Sequence, residues 1–558
     1  MPVTRAFTAF GWMMRSTAAF GILAVAAGHV VAADAPNPAT ANAKGQTAGA
    51  KPVKSAKPKD YAPDYIDAML QESWDEADVK PSPICSDAEF VRRAYLDLLG
   101  RIASADEAYA FISKKDAGKR AKLIDYLLEH PDYPKHMGTL MSNTLIGRKP
   151  MGRQVDKAAL SNWLRLRFAE NRPWNQTARE IITATGSNKD NGAVNFTLTH
   201  MGDGAVNLTS FTTKIFLGEQ IQCTQCHDHP SNDWKQADFW SINAFFKGIR
   251  SEDVMKTDAT GAEVYDHTEL SDEPTDAFST YEKRNAVVGI AFPTFLDGRK
   301  ISQGMEVNRR EALGDFITDR ENLQFARAFV NRIWGQLMGR GFVQPVDDFG
   351  AHNPPSHPEL LDQLAEDFRD CDYDVKRLIR WVAASKAYNV TSMMTKDNDQ
   401  DDILFTHMQL KPMIPEQLFD SLLVATAAQK VGGDADRARN TWLNQFVFAF
   451  ANDEAEESST FQGTIPQALM MMNGELMEKA TGGKSGSFVA KLRERAMKTR
   501  SPASYMVNQM YLSALNRLPT SKEMKHAAAF VNSNPDTLHV LEDLFWALLN
   551  SNEFVLNH

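Results

Sequence analysis

"SDAEFVRRAYLDLLGR", residues 86–101, decides the fold class. Ser86, with Glu89 three residues on, forms a capping box, in which hydroxyl and carboxylate reciprocally satisfy free amides at a helix start. Phe90, Ala94 and Leu98 follow at helical spacing, and Gly100 stops the run because a residue without Cβ enters the left-handed conformation freely. Ser104 and Glu107 open a second helix in the same way. The pattern returns far away: "YLSALNRLPTSKE" (511–523) matches "YLDLLGRIASADE" (95–107) without a gap in its Tyr-Leu, Arg and Glu positions. Two similar helix-turn-helix units are therefore expected near the two ends, too far apart for a solenoid array.

Helical periodicity also fills the middle. "ENLQFARAFVNRIWGQLMGRG" carries Phe325, Phe329, Ile333 and Leu337 on one stripe and closes on Gly339 and Gly341. "SHPELLDQLAEDF" places Ser356 as N-cap with Glu359 at the third helical position, and "VKRLIRWVAASKAY" is amphipathic again. Residues 251–300 differ, being polar and irregular with one β-like run, "AVVGIAFPTFLDG". The expected fold is mainly α: a helical domain over 61–250, a small β-containing joint over 251–300 and a helical domain over 301–558.

Arg5 and Arg15 precede an apolar stretch from about Thr17 to Val31, and "VVAADA" offers small residues beside it, the layout of a secretory signal cleaved after Ala33, with an uncleaved anchor as the alternative. Residues 34–60, rich in Ala, Pro, Lys and Gly, have nothing to bury and read as a tether. No later segment has the length of a bilayer span. Export to a periplasm or beyond is the expectation, in a compartment where disulfides persist. A formal charge of −10 gives no reason to expect a nucleic-acid partner. Hydrophobic content of 43% with 24% charged residues is that of a folded globular chain.

Chemistry concentrates in "IQCTQCHDHP" (221–230), which holds two of the chain's four cysteines. Cys223, Cys226 and His227 spell C-x-x-C-H, in which two thioethers fix a haem c and the histidine binds its iron. A Cys223–Cys226 disulfide or redox pair is a second reading. A zinc or iron site that adds His229 is a third, strained by the compactness of the four donors. Trp234, Phe239, Trp240, Phe245 and Phe246, on a short helix capped by Asp233 and Gln236, would form the apolar haem slot or simply be core. His200, Met201, His267 and Met305 are the candidates for a second axial ligand. Cys85 and Cys371 each precede a helix, and an even cysteine count raises the question of a bridge between them, against two separate buried thiols.

A second polar constellation joins Arg327 and Asn331, four apart on one helix, to Asp347, Asp348, His352, Asn353 and His357 in a Pro-rich loop. It reads either as a carboxylate–imidazole pocket or as a loop fixed by an ion pair from Arg327 to Asp347 or Asp348. No phosphate loop, G-x-S-x-G elbow or H-E-x-x-H helix is present.

"FVRRAYLDLLGR", "FLGEQIQCTQCHDHPSNDWKQADFWSINAFF", "FARAFVNRIWGQLMGRGFVQPVDDFGAHNPPSHPELLDQLAEDF" and "IPQALMMMNG", in this order, resemble the planctomycete-type cytochrome-C-like domain followed by the planctomycete-specific C-terminal domain. The resemblance implies architecture and export; the families bring no settled reaction. Some relatives carry a further N-terminal cytochrome c domain, where this chain has its tether. Three functions follow as expectations: an exported c-type haem protein exchanging electrons with a partner protein, a secreted binding or structural protein stapled by the C-x-x-C pair, and a metal-dependent hydrolase of extracellular polymers. The first is the leading one.

Overall fold

In the computed structural model, the helix that opens the sequence reading runs from Asp87 to Leu99, with the Ser86 hydroxyl accepting from Glu89 N and Gly100 closing it at φ 69°. The residues described are 63–148, 154–301, 307–427, 481–483, 487–533 and 536–558, all within one compact unit, Asp60–His558. The signal segment, the tether, Met305 and "IPQALMMMNG" lie outside them. Among the described residues the chain is mainly helical, with 21 helices and small sheets between helical regions. None of these helices is long and apolar enough to cross a membrane.

The repeat is real in three dimensions. In the first copy, the Asp87–Leu99 helix turns at Gly100 into Ala105–Ser113, which starts on the Ser104/Glu107 capping box. In the second, Pro502–Leu515 turns at Asn516, φ 56°, into Ser521–Asn532, which starts on the Thr520/Glu523 box. Arg101 bonds Glu107 and lies 5.3 Å from the Tyr95 ring; Arg517 bonds Glu523 and lies 5.4 Å from the Tyr511 ring. Each arginine also takes one more carboxylate, Asp132 in the first copy and Glu553 in the second. Those carboxylates extend the sequence match, since "LLEHPDY" (127–133) aligns with "LLNSNEF" (548–554). The copies pack on each other: Asn516 Nδ2 donates to Ala103 O at 2.6 Å, and Leu96 and Ile102 join the apolar cluster of Met510, Leu515 and Phe545.

Arg92 and Arg93 would face water on a simple amphipathic helix, yet both are fully buried. Burying a guanidinium is costly unless its donors are met. Arg92 donates to the carbonyls of Ala514, Phe554 and Leu556, and Arg93 to those of Tyr388, Val390 and His558 and to Glu89. Three segments of chain, at 388–390, 514 and 554–558, are thus tied to one helix. The main apolar cluster runs from Ile66 through Trp74, Phe216 and Trp334 to Met408 and Leu512, and so takes in residues on both sides of the expected joint.

The joint holds more β-structure than its sequence announces. Ile249–Thr257 and Glu263–Asp272 form a long antiparallel ribbon, flanked by Gly186–Ser187, with a register shift between Val254 and Met255. Most of Ile249–Thr257 is exposed, so it lacks the apolar alternation that marks a half-buried strand. The expected run does form, as Val288–Ala291 paired with Ser279–Glu282.

Candidate functional site

The C-x-x-C-H segment follows the Gly202–Leu217 helix, which ends at Gly218 with φ 68°. Gln222–Gln225 make one 3-10 turn. Ile221 and Thr224 anchor it from below, both fully buried, with the Thr224 hydroxyl donating to Ile221 O at 2.6 Å. Cys223 and Cys226, on the alternate positions, are exposed free thiols. Gln225 O accepts from Gln236 Nε2 and Trp240 Nε1, and Asp228 Oδ1 accepts from Gln236 N, so the Gln236–Asn243 helix latches the loop. That helix begins on Lys235, whose N–H donates to Asp238, and not on the expected Asp233/Gln236 pair. Gln236 is drawn into the latch instead.

His227 Nδ1 lies 2.6 Å from Asp228 O. A carbonyl only accepts, so the proton sits on Nδ1 and the Nε2 lone pair is left open, the tautomer that an iron-ligating histidine needs. His229 has the opposite arrangement: its Nδ1 accepts from Ser231 N and Asn232 N, which removes that lone pair from metal binding. Partial burial, His352 and His227 hold its pKa below the ordinary value. Among the described residues no three His, Cys, Asp or Glu side chains converge as metal ligands.

The two polar clusters of the sequence meet here, in part. Asn232 Oδ1 accepts from Ala351 N at 3.1 Å and from His352 Nδ1 at 3.0 Å, and His352 Nε2 lies 3.2 Å from Asp348 Oδ2. The rings of His229 and His352 are 5.9 Å apart. Asp347 is buried below them and is held by Gln220 Nε2 at 2.9 Å and Lys214 Nζ at 3.3 Å. Gly350 permits the approach, since a Cβ there would come within 2.5 Å of Asn232 Oδ1.

The rest of the second cluster goes elsewhere. Arg327 pairs with Asp362 through two 2.6 Å bonds, one turn into the next helix, and not with Asp347, held by Gln220 and Lys214, or Asp348, beside His352. Asn331 bonds Val343 N, Val343 O and Val346 O and so shapes the Pro-rich loop. His357 is buried against Phe342 and Phe405, with burial lowering its pKa. Ser356 does not cap its helix; His357 occupies the N-cap position before Pro358, and the Ser356 hydroxyl bonds the His357 ring.

The donors for haem attachment fit: two exposed thiols three apart and an imidazole of the right tautomer. The expected slot fits less well. Phe239, Phe245 and Phe246 are buried in the protein core, leaving half-buried Trp234 and Trp240, the latter stacked on Tyr281. The axial candidates are engaged too: His200 bonds Leu145 O, His267 sits between Asp266 and Glu269, and Met201 packs against the core. Cys85 and Cys371 are separate thiols, one between Arg93 and Arg120 and the other donating to Phe368 O, so no bridge joins them. Asn232, which ties the loop to the facing one, has no local signal in the sequence, and the signal at Gln236 is that of a cap partner, not of a latch.

Residues 65–251 match the family model PSCyt2, a protein of unknown function (DUF1549), and residues 309–445 match PSD1, a protein of unknown function (DUF1553). No curated protein and no solved structure matches the chain.

Proposed function

We propose that this chain, which joins the PSCyt2 domain to the PSD1 domain, is an exported c-type haem protein that exchanges electrons with a partner protein at the Cys223–His227 loop. The observation that carries this reading is the division of labour in the loop: Ile221 and Thr224 are buried anchors, while both thiols and His227 Nε2 are left open. A disulfide staple would leave the histidine tautomer without purpose, and a zinc site would need ligands that do not converge. Haem c, when bound, supplies a one-electron couple near the surface. The chain's own part is to hold the thiols three residues apart, to keep the Nδ1 proton of His227 on Asp228 O, and to keep the loop rigid through Gln236 and Trp240. Asp348 and His352 brace it from the facing loop.

The test is the reduced-minus-oxidised absorbance spectrum of protein made in a host that attaches haem. Wild type is expected to carry covalent haem, Cys223→Ala and Cys226→Ala each to lose one thioether, and His227→Ala to lose the iron ligand with porphyrin still attached. A full haem spectrum in the double cysteine variant defeats the covalent reading. If wild type takes up no haem, a mass change of two hydrogens on reduction identifies the disulfide reading, and stoichiometric zinc or iron the metal one.

A further inference from the structure

The duplicated unit forms a cavity at the same place in each copy, beside the left-handed turn and its arginine. The first, of about 190 Å³, is bordered by Leu99, Arg101, Asp132 and Lys135, and by His136 and Glu416 beyond them. The second, of about 380 Å³, is bordered by the matching Leu515, Arg517, Glu553 and Leu556. Three residues past the matched carboxylate, Lys135 of the first copy thus gives way to Leu556 in the second. The first cavity offers a ligand little, because its unpartnered atoms, His136 Nε2 and Glu416 Oε2, are sealed from solvent.

The second cavity has an apolar side. Leu515 and Leu556 are joined there by Met393 and Leu410, which are 74% and 55% exposed. Its charged groups are already spent. Glu89 accepts from Arg93 Nη2 and Ser392 N on one oxygen and from Thr391 Oγ1 on the other. Arg517 gives away all five donors: four meet the four oxygens of Glu523 and Glu553, and the fifth goes to Leu518 O. A charged ligand would therefore leave water for a wall with no free counter-charge, and that desolvation is costly.

Three uncharged groups remain. The His558 ring, the Ser392 hydroxyl and the Asn552 amide border the cavity without a hydrogen-bond partner among the described residues, and none of their polar atoms is sealed from solvent. Burial, with Arg92 and Arg93 beside the ring, outweighs Glu89 and Glu553 and lowers the His558 pKa to about 4, so the imidazole is neutral. A neutral imidazole carries one donor and one acceptor, and a hydroxyl, which both donates and accepts, can meet either. An apolar recess with a few convergent polar groups is the usual form of a small-molecule site. We propose that the second cavity binds a small uncharged alcohol, with its hydroxyl at His558, Ser392 and Asn552 and its apolar body against Met393, Leu410, Leu515 and Leu556.

Calorimetry on the full chain tests this with cyclohexanol as the probe. Cyclohexylamine and cyclohexanecarboxylate are its charged counterparts on the same ring, and glycerol is an uncharged counterpart without the apolar body. Saturable binding of cyclohexanol is expected, at least about tenfold tighter than any of the three. His558→Leu keeps the backbone carbonyl that Arg93 uses and should weaken cyclohexanol by about fivefold, whereas Lys135→Gln, in the first cavity, should leave it unchanged. Wild type supplies a readout that needs no variant: the His558 ring nitrogen signals should move with the same midpoint as the calorimetric binding. A counterpart that binds as tightly as cyclohexanol, an unweakened His558→Leu variant, or no saturable binding together with unmoved His558 signals would overturn the proposal.

Discussion

The two copies of the helix-turn unit agree bond for bond in their frame and disagree at one turn residue. Gly100 and Asn516 occupy the same left-handed position, at φ 69° and φ 56°. Asparagine tolerates that conformation and uses its amide to reach Ala103 O in the other copy. Glycine leaves room, and His136 fills it. One residue therefore assigns the second copy to holding the unit pair together and the first to seating a buried imidazole. A repeat preserves what makes it fold, here the capping box and the arginine fork, and diverges where a side chain is free to do something else.

Exchanging the turn residues strains that comparison most. Gly100→Asn would push a Cβ into the His136 ring and is expected to cost about 3 kcal/mol in urea unfolding. Asn516→Gly keeps the conformation and loses the two buried hydrogen bonds of its amide, to Ala103 O and Leu512 O, so about 1–2 kcal/mol is expected. Equal costs would show that the two turns are not different in kind.

Acid comes next. His136 and His558 each have a pKa lowered by burial to about 4, against 6.5 in an unfolded chain. A lowered histidine pKa means that the unfolded chain binds the proton first, so this stability is complete above pH 6.5 and is lost as pH falls from 6.5 through 4. Melting temperature should fall across that window, and His136→Gln and His558→Gln should each flatten the fall. In the second copy a further loss follows below pH 4.5, since Arg517 holds Glu523 down to about 2. Glu523 is exposed enough that this adds at most about 1 kcal/mol.

The capping boxes should be indistinguishable. Ser104→Ala and Thr520→Ala are each expected to cost about 1 kcal/mol, and a twofold difference between them would show that the frame itself has diverged. The smallest effect belongs to the cysteine loop. In the haem-free chain Cys223→Ser and Cys226→Ser, both exposed, should change stability by less than about 0.5 kcal/mol. In haem-free protein these two thiols should alkylate quickly, while Cys85 and Cys371 wait for unfolding; in haem-loaded protein the first two should be blocked as thioethers.

Local chemistry was legible. The capping boxes at Ser104 and Thr520, the stop at Gly100 and the helices over 323–338 and 358–370 all follow from residues within a few positions of one another. So does the C-x-x-C-H cluster, because its meaning lies in spacing. What failed was pairing at a distance. Arg327 stands nearer in sequence to Asp347 than to Asp362, yet packing gives it the more distant partner. Nor does anything local announce that Arg92 and Arg93 are buried on the carbonyls of residues 388, 390, 554 and 558.

By itself the sequence determined a mainly helical chain, a duplicated helix-turn unit and a pair of thiols beside a histidine. Each is set by forces acting within one or two helical turns: amide capping, the left-handed freedom of glycine and the 3.6-residue period. Tertiary structure alone decided that Asp348 and His352 brace the cysteine loop, that Glu416 stands in the cavity beside His136, and that the two copies lie face to face. These contacts join residues from about 120 to more than 400 positions apart, and such pairs are chosen by the burial of one continuous apolar core, which no short window of sequence contains.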